Sequence, residues 1–286
     1  QPSKKHNPRK PEIDAIPNNQ LLLWPHIKKV FFISQREAGE ERLKAESGID
    51  NCKGSQMSLF HITRQSDIPL VGCLYFGVVD RGSSLLQIRP SSGCNLSCPF
   101  CSVDAGPHSR SRVTDYQVEL DYLMEAVEEI APFKGQGVEC HIDSPGEPML
   151  YPEIVELVRR LKQIKEVAVV SMQSNGSLLS EKKIQELEGA GLDRINLSIH
   201  SLEREKAAYL AGAPWFDIEK IKETAKRIAE SSVDLLIAPV YIPGINDEDI
   251  PELIRFARDI GAGKRWPALG IQKFEHYRLG RSPGKV

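Results

Sequence analysis

Between about residue 84 and residue 274 the chain alternates short β-rich runs with stretches at helical spacing, and this rhythm restricts the fold more than any other feature. The β-rich runs are 84–90 (SLLQIRP), 137–143 (GVECHID), 167–174 (VAVVSMQS), 193–200 (DRINLSIH), 233–242 (VDLLIAPVYI) and 268–274 (ALGIQKF). The helical stretches are 114–131, 152–165, 180–190, 217 to about 231 and 247 to about 260. In the first of these, Tyr116, Leu120, Leu123, Val127 and Ile130 recur at three and four, the spacing of one helix face. Thr114 and Ser180 are placed to cap their helices, because a hydroxyl accepts an orphan backbone N–H. Pro152 stands near a helix start, where its missing N–H is not needed. Ahead of the alternation, 73–80 (CLYFGVVD) and 84–90 flank the turn Asp80-Arg81-Gly82-Ser83 and predict a hairpin.

Six strands separated by helices predict an α/β fold with a parallel sheet covered by helices. An open doubly wound sheet and a barrel-like (β/α) array both satisfy the pattern, and both gather chemistry at the carboxyl ends of the strands. The chain has 286 residues with 41% hydrophobic, enough for one large domain or two small ones. A formal net charge of −2 gives no global basic character of the kind that marks a nucleic-acid binder, although a local patch is compatible with it. No apolar run approaches the ~18 residues of a membrane span and no secretory signal opens the sequence, so a soluble cytoplasmic protein is expected. Residues 1–20, rich in Pro, Lys and Asn, read as a flexible leader. Residues 21–83 read as an N-terminal extension, 84–278 as the core and 279–286 as a tail.

Immediately after the first strand of the alternation come Cys94, Cys98 and Cys101, in GCNLSCPFCSVD, spaced C-x3-C-x2-C with Phe100 before the last. Three thiolates this close can cap three irons of a 4Fe–4S cubane and leave the fourth iron open. A structural zinc site wants four ligands in two pairs, and His108 has no partner at ligand spacing. A disulfide framework fits poorly, since Cys52, Cys73 and Cys140 are scattered singly. Plain core cysteines are the remaining reading, and Cys140, inside an apolar strand, is expected to be one.

The other strand ends carry polar residues. Ser144-Pro145-Gly146-Glu147-Pro148 follows the second, with a glutamate set to meet a cationic group, and Ser174-Asn175-Gly176 follows the third. The fourth ends in Ser198-Ile199-His200-Ser201, where alternation puts Ser198 and His200 on one face. The fifth ends in 243–247 and the sixth in 273–277. Each taken alone has an ordinary reading, a solvated turn carboxylate or a satisfied interior histidine. Together they describe a ligand site built from many loops on the rim that carries the cysteines.

With these motifs in order, the chain resembles the radical S-adenosylmethionine (SAM) superfamily. The C-x3-C-x2-C spacing is that family's signature, and CPFC carries its aromatic. Ser144 to Pro148 resembles its GGEP motif with Pro145 in place of the first glycine, and QSNGSLL resembles its TNG turn. RINLSIHSLERE and PVYIPGIND resemble fourth- and fifth-strand segments of the molybdenum-cofactor branch. GCLYFGVVDRG and GIQKFEHYRLGR look most like an archaeal group of Fe–S oxidoreductases.

The resemblance implies a partial (β/α)6 TIM-type barrel with an N-terminal extension. It implies one 4Fe–4S cluster on Cys94, Cys98 and Cys101, SAM on the open iron, and a flavodoxin- or ferredoxin-like electron donor. Reductive cleavage of SAM would give a 5′-deoxyadenosyl radical that takes hydrogen from a substrate. By motif position Gly146 and Glu147 would meet the methionine amino group, Phe100 the adenine, and Ser144, Asn175 and Ser198 the ribose and carboxylate. His200, Arg204, His276 and Tyr277 are candidates to face substrate. RNA is one candidate substrate, from the basic leader (Lys4, Lys5, Arg9, Lys10) and the basic end (Arg278, Arg281, Lys285). A peptide, protein or small metabolite is the alternative. A non-catalytic Fe–S protein is a third reading, against which the GEP and SNG turns stand, since an electron carrier needs no SAM pocket.

Overall fold

The computed structural model describes residues 58–283. The leader, residues 21–57 of the N-terminal extension with Cys52, and Lys285 lie outside the described residues. In chain order come β1 (Ser58–Ile62), β2 (Gly77–Asp80), β3 (Leu85–Arg89), β4 (Thr114–Val118), α1 (Leu120–Lys134), β5 (Val138–Ile142), α2 (Ile154–Gln163) and β6 (Val167–Ser174). They continue with α3 (Glu181–Ala190), β7 (Arg194–Leu197), α4 (Arg204–Ala211), α5 (Ile218–Glu230), β8 (Asp234–Ile237), β9 (Val240–Tyr241), α6 (Asp249–Asp259) and β10 (Gln272–Lys273).

The main sheet runs β2-β3-β5-β6-β7-β8, with β2 antiparallel to β3 and every later pair parallel. Spatial order follows chain order, so there is no switch point, and the fold is the partial (β/α)6 barrel rather than the doubly wound sheet. Register explains its two faces. One row joins Ile88, Ile142, Met172, Ile195 and Leu235, all fully buried in the core that the helices cover. Each such side chain contributes roughly 1.5–3 kcal/mol by leaving water. The neighbouring row joins Gln87, His141, Ser171 and Arg194, and points to the barrel lumen. The usual arrangement fills a small barrel's interior with bulky apolar chains; here the lumen face is polar.

Four sequence expectations are corrected. Thr114 does not cap a helix: 114–118 is β4, paired in parallel with β1, and the Thr114 hydroxyl lies 2.8 Å from that of Ser58. The helix begins at Leu120 with Glu119 as N-cap. Apolar residues at three and four also fit a strand followed by a helix, and β1 supplies the partner that decides it. Second, the connection after β7 contains α4, whose N-cap Glu203 accepts the N–H groups of Glu205 and Lys206, and which Gly212 ends at φ 59°. Third, the run 233–242 is split into β8 and β9 by Ala238-Pro239, because proline brings no N–H to a ladder. Fourth, the last strand shortens to β10, although its neighbourhood keeps a broken parallel ladder: Ile237 N–H to Ala268 O, Gly270 N–H to Ile237 O and Phe274 N–H to Tyr241 O. Among the described residues no helix is long and apolar enough to cross a membrane.

Candidate active site

The loops after β3, β5, β6 and β7 meet around a cavity of about 310 Å3. Cys94, Cys98 and Cys101 line it, and none is in a disulfide. The chain between them turns back on itself through Cys101 N–H to Cys98 O at 3.2 Å. Backbone donors already point at two sulfurs: Leu96 N–H to Cys94 Sγ at 3.5 Å and Ala105 N–H to Cys101 Sγ at 3.3 Å. Burial pushes the Cys94 thiol up to about 12 and raises Cys98 as well, so ligation here has to displace protons with metal. Among the described residues no three His, Cys, Asp or Glu side chains converge as a single ion would require. An all-cysteine donor set spread around a cavity suits a cluster, in which each thiolate takes a different iron.

The turn after β5 packs backbone to backbone on the cysteine loop. A Cβ on Gly146 would fall 1.8 Å from Gly93 O, which explains the glycine, and Glu147 N–H donates to the same oxygen at 2.8 Å. The Glu147 carboxylate, in a residue 1% exposed, ties its own turn to the turn after β6. Its Oε1 accepts from Met149 N–H (3.1 Å) and the Ser174 hydroxyl (2.8 Å), and its Oε2 from Asn175 N–H (2.7 Å). Burial outweighs these bonds and lifts its pKa to about 7. Beside it the Ser144 hydroxyl is buried without a partner on the cavity wall. An orphaned hydroxyl and a buried carboxylate lacking a cation fit a polar, cation-bearing ligand such as the aminoacyl end of SAM.

Asn175, Ser198 and Phe100 also line the cavity. The Asn175 amide is partly used to fasten loops, donating to Asn95 Oδ1 at 2.9 Å and accepting from Ser177. Ser198 Oγ accepts from Gln173 Nε2 at 2.7 Å. His200 packs edge-on to Phe100, centroids 4.8 Å apart, and accepts the Val240 N–H at Nδ1 (3.0 Å). Burial lowers its pKa to about 4, so at neutral pH it is an uncharged imidazole with its proton on Nε2. Tyr277 lines the cavity mouth with Lys273 and Phe274.

Two of the named candidates do not join this group. Arg204 is exposed at the first turn of α4 and borders a separate groove with Trp215. His276 is exposed, its ring against Phe274 and its Nδ1 3.2 Å from the Ser282 hydroxyl. Cys140 is fully buried on the apolar face of β5.

Other residues were not signalled by strand ends. In the lumen, Gln87 Nε2 donates to Asp143 at 2.7 Å, and Ser171 links His141 Nδ1 (2.7 Å) to Glu139 (2.6 Å), which Arg194 also meets at 2.6 Å. The available signal was polar alternation within the strands, as in LQIR, ECHID and SMQS. In the sequence Arg281 reads only as a basic residue. It reaches back to the cysteine loop, where its Nε meets Asp104 Oδ1 at 2.5 Å and its Nη1 the carbonyl of Cys98 at 3.0 Å.

A profile of the Radical SAM superfamily matches residues 88–257. The chain belongs to the radical SAM superfamily, and that membership implies a 4Fe–4S cluster and SAM as cofactors. Among its relatives, an uncharacterized protein of Methanocaldococcus jannaschii is 44% identical over 233 residues, covering 77% of this chain and 54% of that protein. A GTP 3′,8-cyclase of Chlorobaculum tepidum is 30% identical over 221 residues, covering 77% of this chain and 62% of the cyclase. The chain thus spans little more than half the length of these curated relatives. In fold it is similar to SuiB of Streptococcus suis, solved with S-adenosylmethionine bound: TM-score 0.56, 20% identity, 71% of this chain and 43% of that one.

Proposed function

We propose that this chain is a radical SAM enzyme that takes a hydrogen atom from a small polar substrate held in the barrel lumen. The observation that carries the reading is convergence. Three cysteines without disulfides, an orphaned buried hydroxyl on Ser144 and a buried cation-free carboxylate on Glu147 enclose one cavity at the strand ends. When bound and supplied with one electron by a flavodoxin- or ferredoxin-like donor, the cluster and SAM yield methionine and a 5′-deoxyadenosyl radical able to abstract hydrogen from an unactivated carbon. The hard chemistry is theirs; the protein orients and excludes.

Cys94, Cys98 and Cys101 would hold the cluster. Glu147 and the Gly146 backbone would receive the ammonium of SAM, which drives the Glu147 carboxyl to its charged form. Ser144, Asn175 and Ser198 would meet the carboxylate and ribose. Phe100, braced by neutral His200, would lie along the adenine and keep water from it. Tyr277 and Lys273 would border the substrate entrance.

Two observations favour a small polar substrate over RNA. The lumen face is lined by Gln87, His141, Asp143, Gln173 and Asn196, all partly accessible. Arg281, one of the basic residues that suggested RNA, is consumed by the cysteine loop. The similarity to GTP 3′,8-cyclases adds support for small-molecule chemistry, and the segments GCLYFGVVDRG and GIQKFEHYRLGR support placement in an archaeal Fe–S oxidoreductase group. The test supplies reduced, reconstituted protein and SAM with either uniformly deuterated total RNA or a deuterated metabolite extract. Deuterium in 5′-deoxyadenosine from the metabolite arm alone is expected; deuterium from the RNA arm would restore the RNA reading.

A further inference from the structure

A segment from the carboxyl-terminal end of the described chain grips the cysteine loop from outside the cavity. Arg281 N–H donates to Cys101 O at 2.8 Å. Its guanidinium donates Nη1 to Cys98 O at 3.0 Å, Nη2 to Ala105 O, and Nε to Asp104 Oδ1 at 2.5 Å. The side chain therefore fixes the backbone at Cys98 and at the turn following Cys101, while the Arg281 backbone N–H holds Cys101 itself. Gly280 lets the tail approach this closely, since a Cβ there would come within 2.9 Å of Ser102 O.

Asp104 is built to receive it. It sits at φ 50°, a conformation rarely adopted by non-glycine residues. Its Oδ2 collects the N–H groups of Arg110 and Ser111, each at 2.8 Å, and the hydroxyls of Ser109 and Ser111. The side chains of the pair are only 16% and 4% exposed. This is more than an exposed ion pair of small worth: a fork of donors spans the loop, and its charge lies 3.0 Å from the carbonyl of Cys98.

We propose that Arg281 is a positioning residue for the cluster, holding the cysteine loop in its ligating shape and placing a fixed positive charge beside the bound irons. The proposal rests on the assignment of the cluster to Cys94, Cys98 and Cys101. Two roles separate by substitution. Arg281→Gln removes charge and fork; Arg281→Lys keeps the charge but loses the fork. Partners that orient metal ligands typically matter by about 10- to 100-fold in metal affinity. A positive charge near a cluster favours its reduced form, because reduction adds negative charge.

The experiment uses anaerobically reconstituted full chain. Iron loss to a chelator and the midpoint potential from an EPR-monitored redox titration are measured for wild type and both variants. Arg281→Gln should lose iron about 10- to 100-fold more readily and shift to a more negative potential. Arg281→Lys should lose iron faster than wild type yet hold its potential near the wild-type value. Arg281→Gln matching wild type in both readouts overturns the proposal, and a potential equally shifted in both variants overturns its electrostatic half. A wild-type protein that takes up no iron sinks the cluster assignment instead. The grip itself is then read on the apoprotein: faster amide hydrogen exchange at Arg110 and Ser111 in Arg281→Gln upholds it, and unchanged exchange refutes it.

Discussion

Two carboxylates flank the cysteine loop, both withdrawn from water, and they have opposite fates. Asp104 faces a guanidinium and four further donors, which hold its carboxyl well below the usual carboxylate range. Glu147 has three neutral donors and no cation, and burial raises it to about 7. The difference separates a finished structural joint from an unfinished one. Asp104 has every partner it needs from the chain, whereas Glu147 lacks a positive group, and it lacks it on the wall of the cavity that the cysteines share. Buried carboxylates without a counter-charge are costly unless something completes them.

The comparison can be broken from several directions. The largest effect comes from Cys98→Ala, which should take the reconstituted protein from about four irons per chain to near none by iron assay. Retention of the full count would remove the feature around which both carboxylates are arranged. Asp104→Ala comes next. It strands the mostly buried Arg281 charge and the loop donors, and should lower unfolding free energy by about 3–5 kcal/mol in denaturant melts; a loss below about 1 kcal/mol would mark Asp104 as an ordinary surface partner. Gly146→Ala forces its new methyl into Gly93 O, displacing the turn that presents Glu147, at a cost of about 1–3 kcal/mol. Calorimetry should show weakened SAM binding together with the lower melting temperature.

The smallest effect is the sharpest in sign. If the bound ammonium requires ionised Glu147, SAM affinity should rise about tenfold from pH 6 to pH 8, as the carboxyl titrates near 7, and Glu147→Gln should flatten the profile. Without ligand the sign reverses. A folded pKa raised from 4.5 to about 7 means stability that declines as pH rises through that window, and Glu147→Gln should abolish the decline. A wild-type affinity that is flat with pH would place the ammonium elsewhere.

How far the sequence reveals this depends on how local the physics is. The hairpin at 77–89 and the strand–helix alternation could be read because turn chemistry and periodicity are local. The strand ends could be read because parallel α/β sheets place loops on one rim, and of the candidate site residues all but Arg204 and His276 line the cavity, although the fifth strand end, 243–247, does not reach it. What escaped was nonlocal. β4 became a strand through a partner 56 residues upstream, and the paired apolar spacing that suggested a helix could not report that. Arg281 reaches Asp104 across 177 residues, so in sequence it looks like one more basic residue in a tail. The polar lumen required alternate residues of four strands to be placed in register, which no single strand displays.

The central claim is that the cavity beside Glu147 brings SAM to a cluster held by the three cysteines. Its most direct measurement is 5′-deoxyadenosine production by the anaerobically reconstituted protein under dithionite, with Cys98→Ala prepared in parallel. The account predicts product that requires SAM, reductant and Cys98. A wild-type protein that carries its cluster and forms none, or a variant that forms as much as wild type, would contradict it.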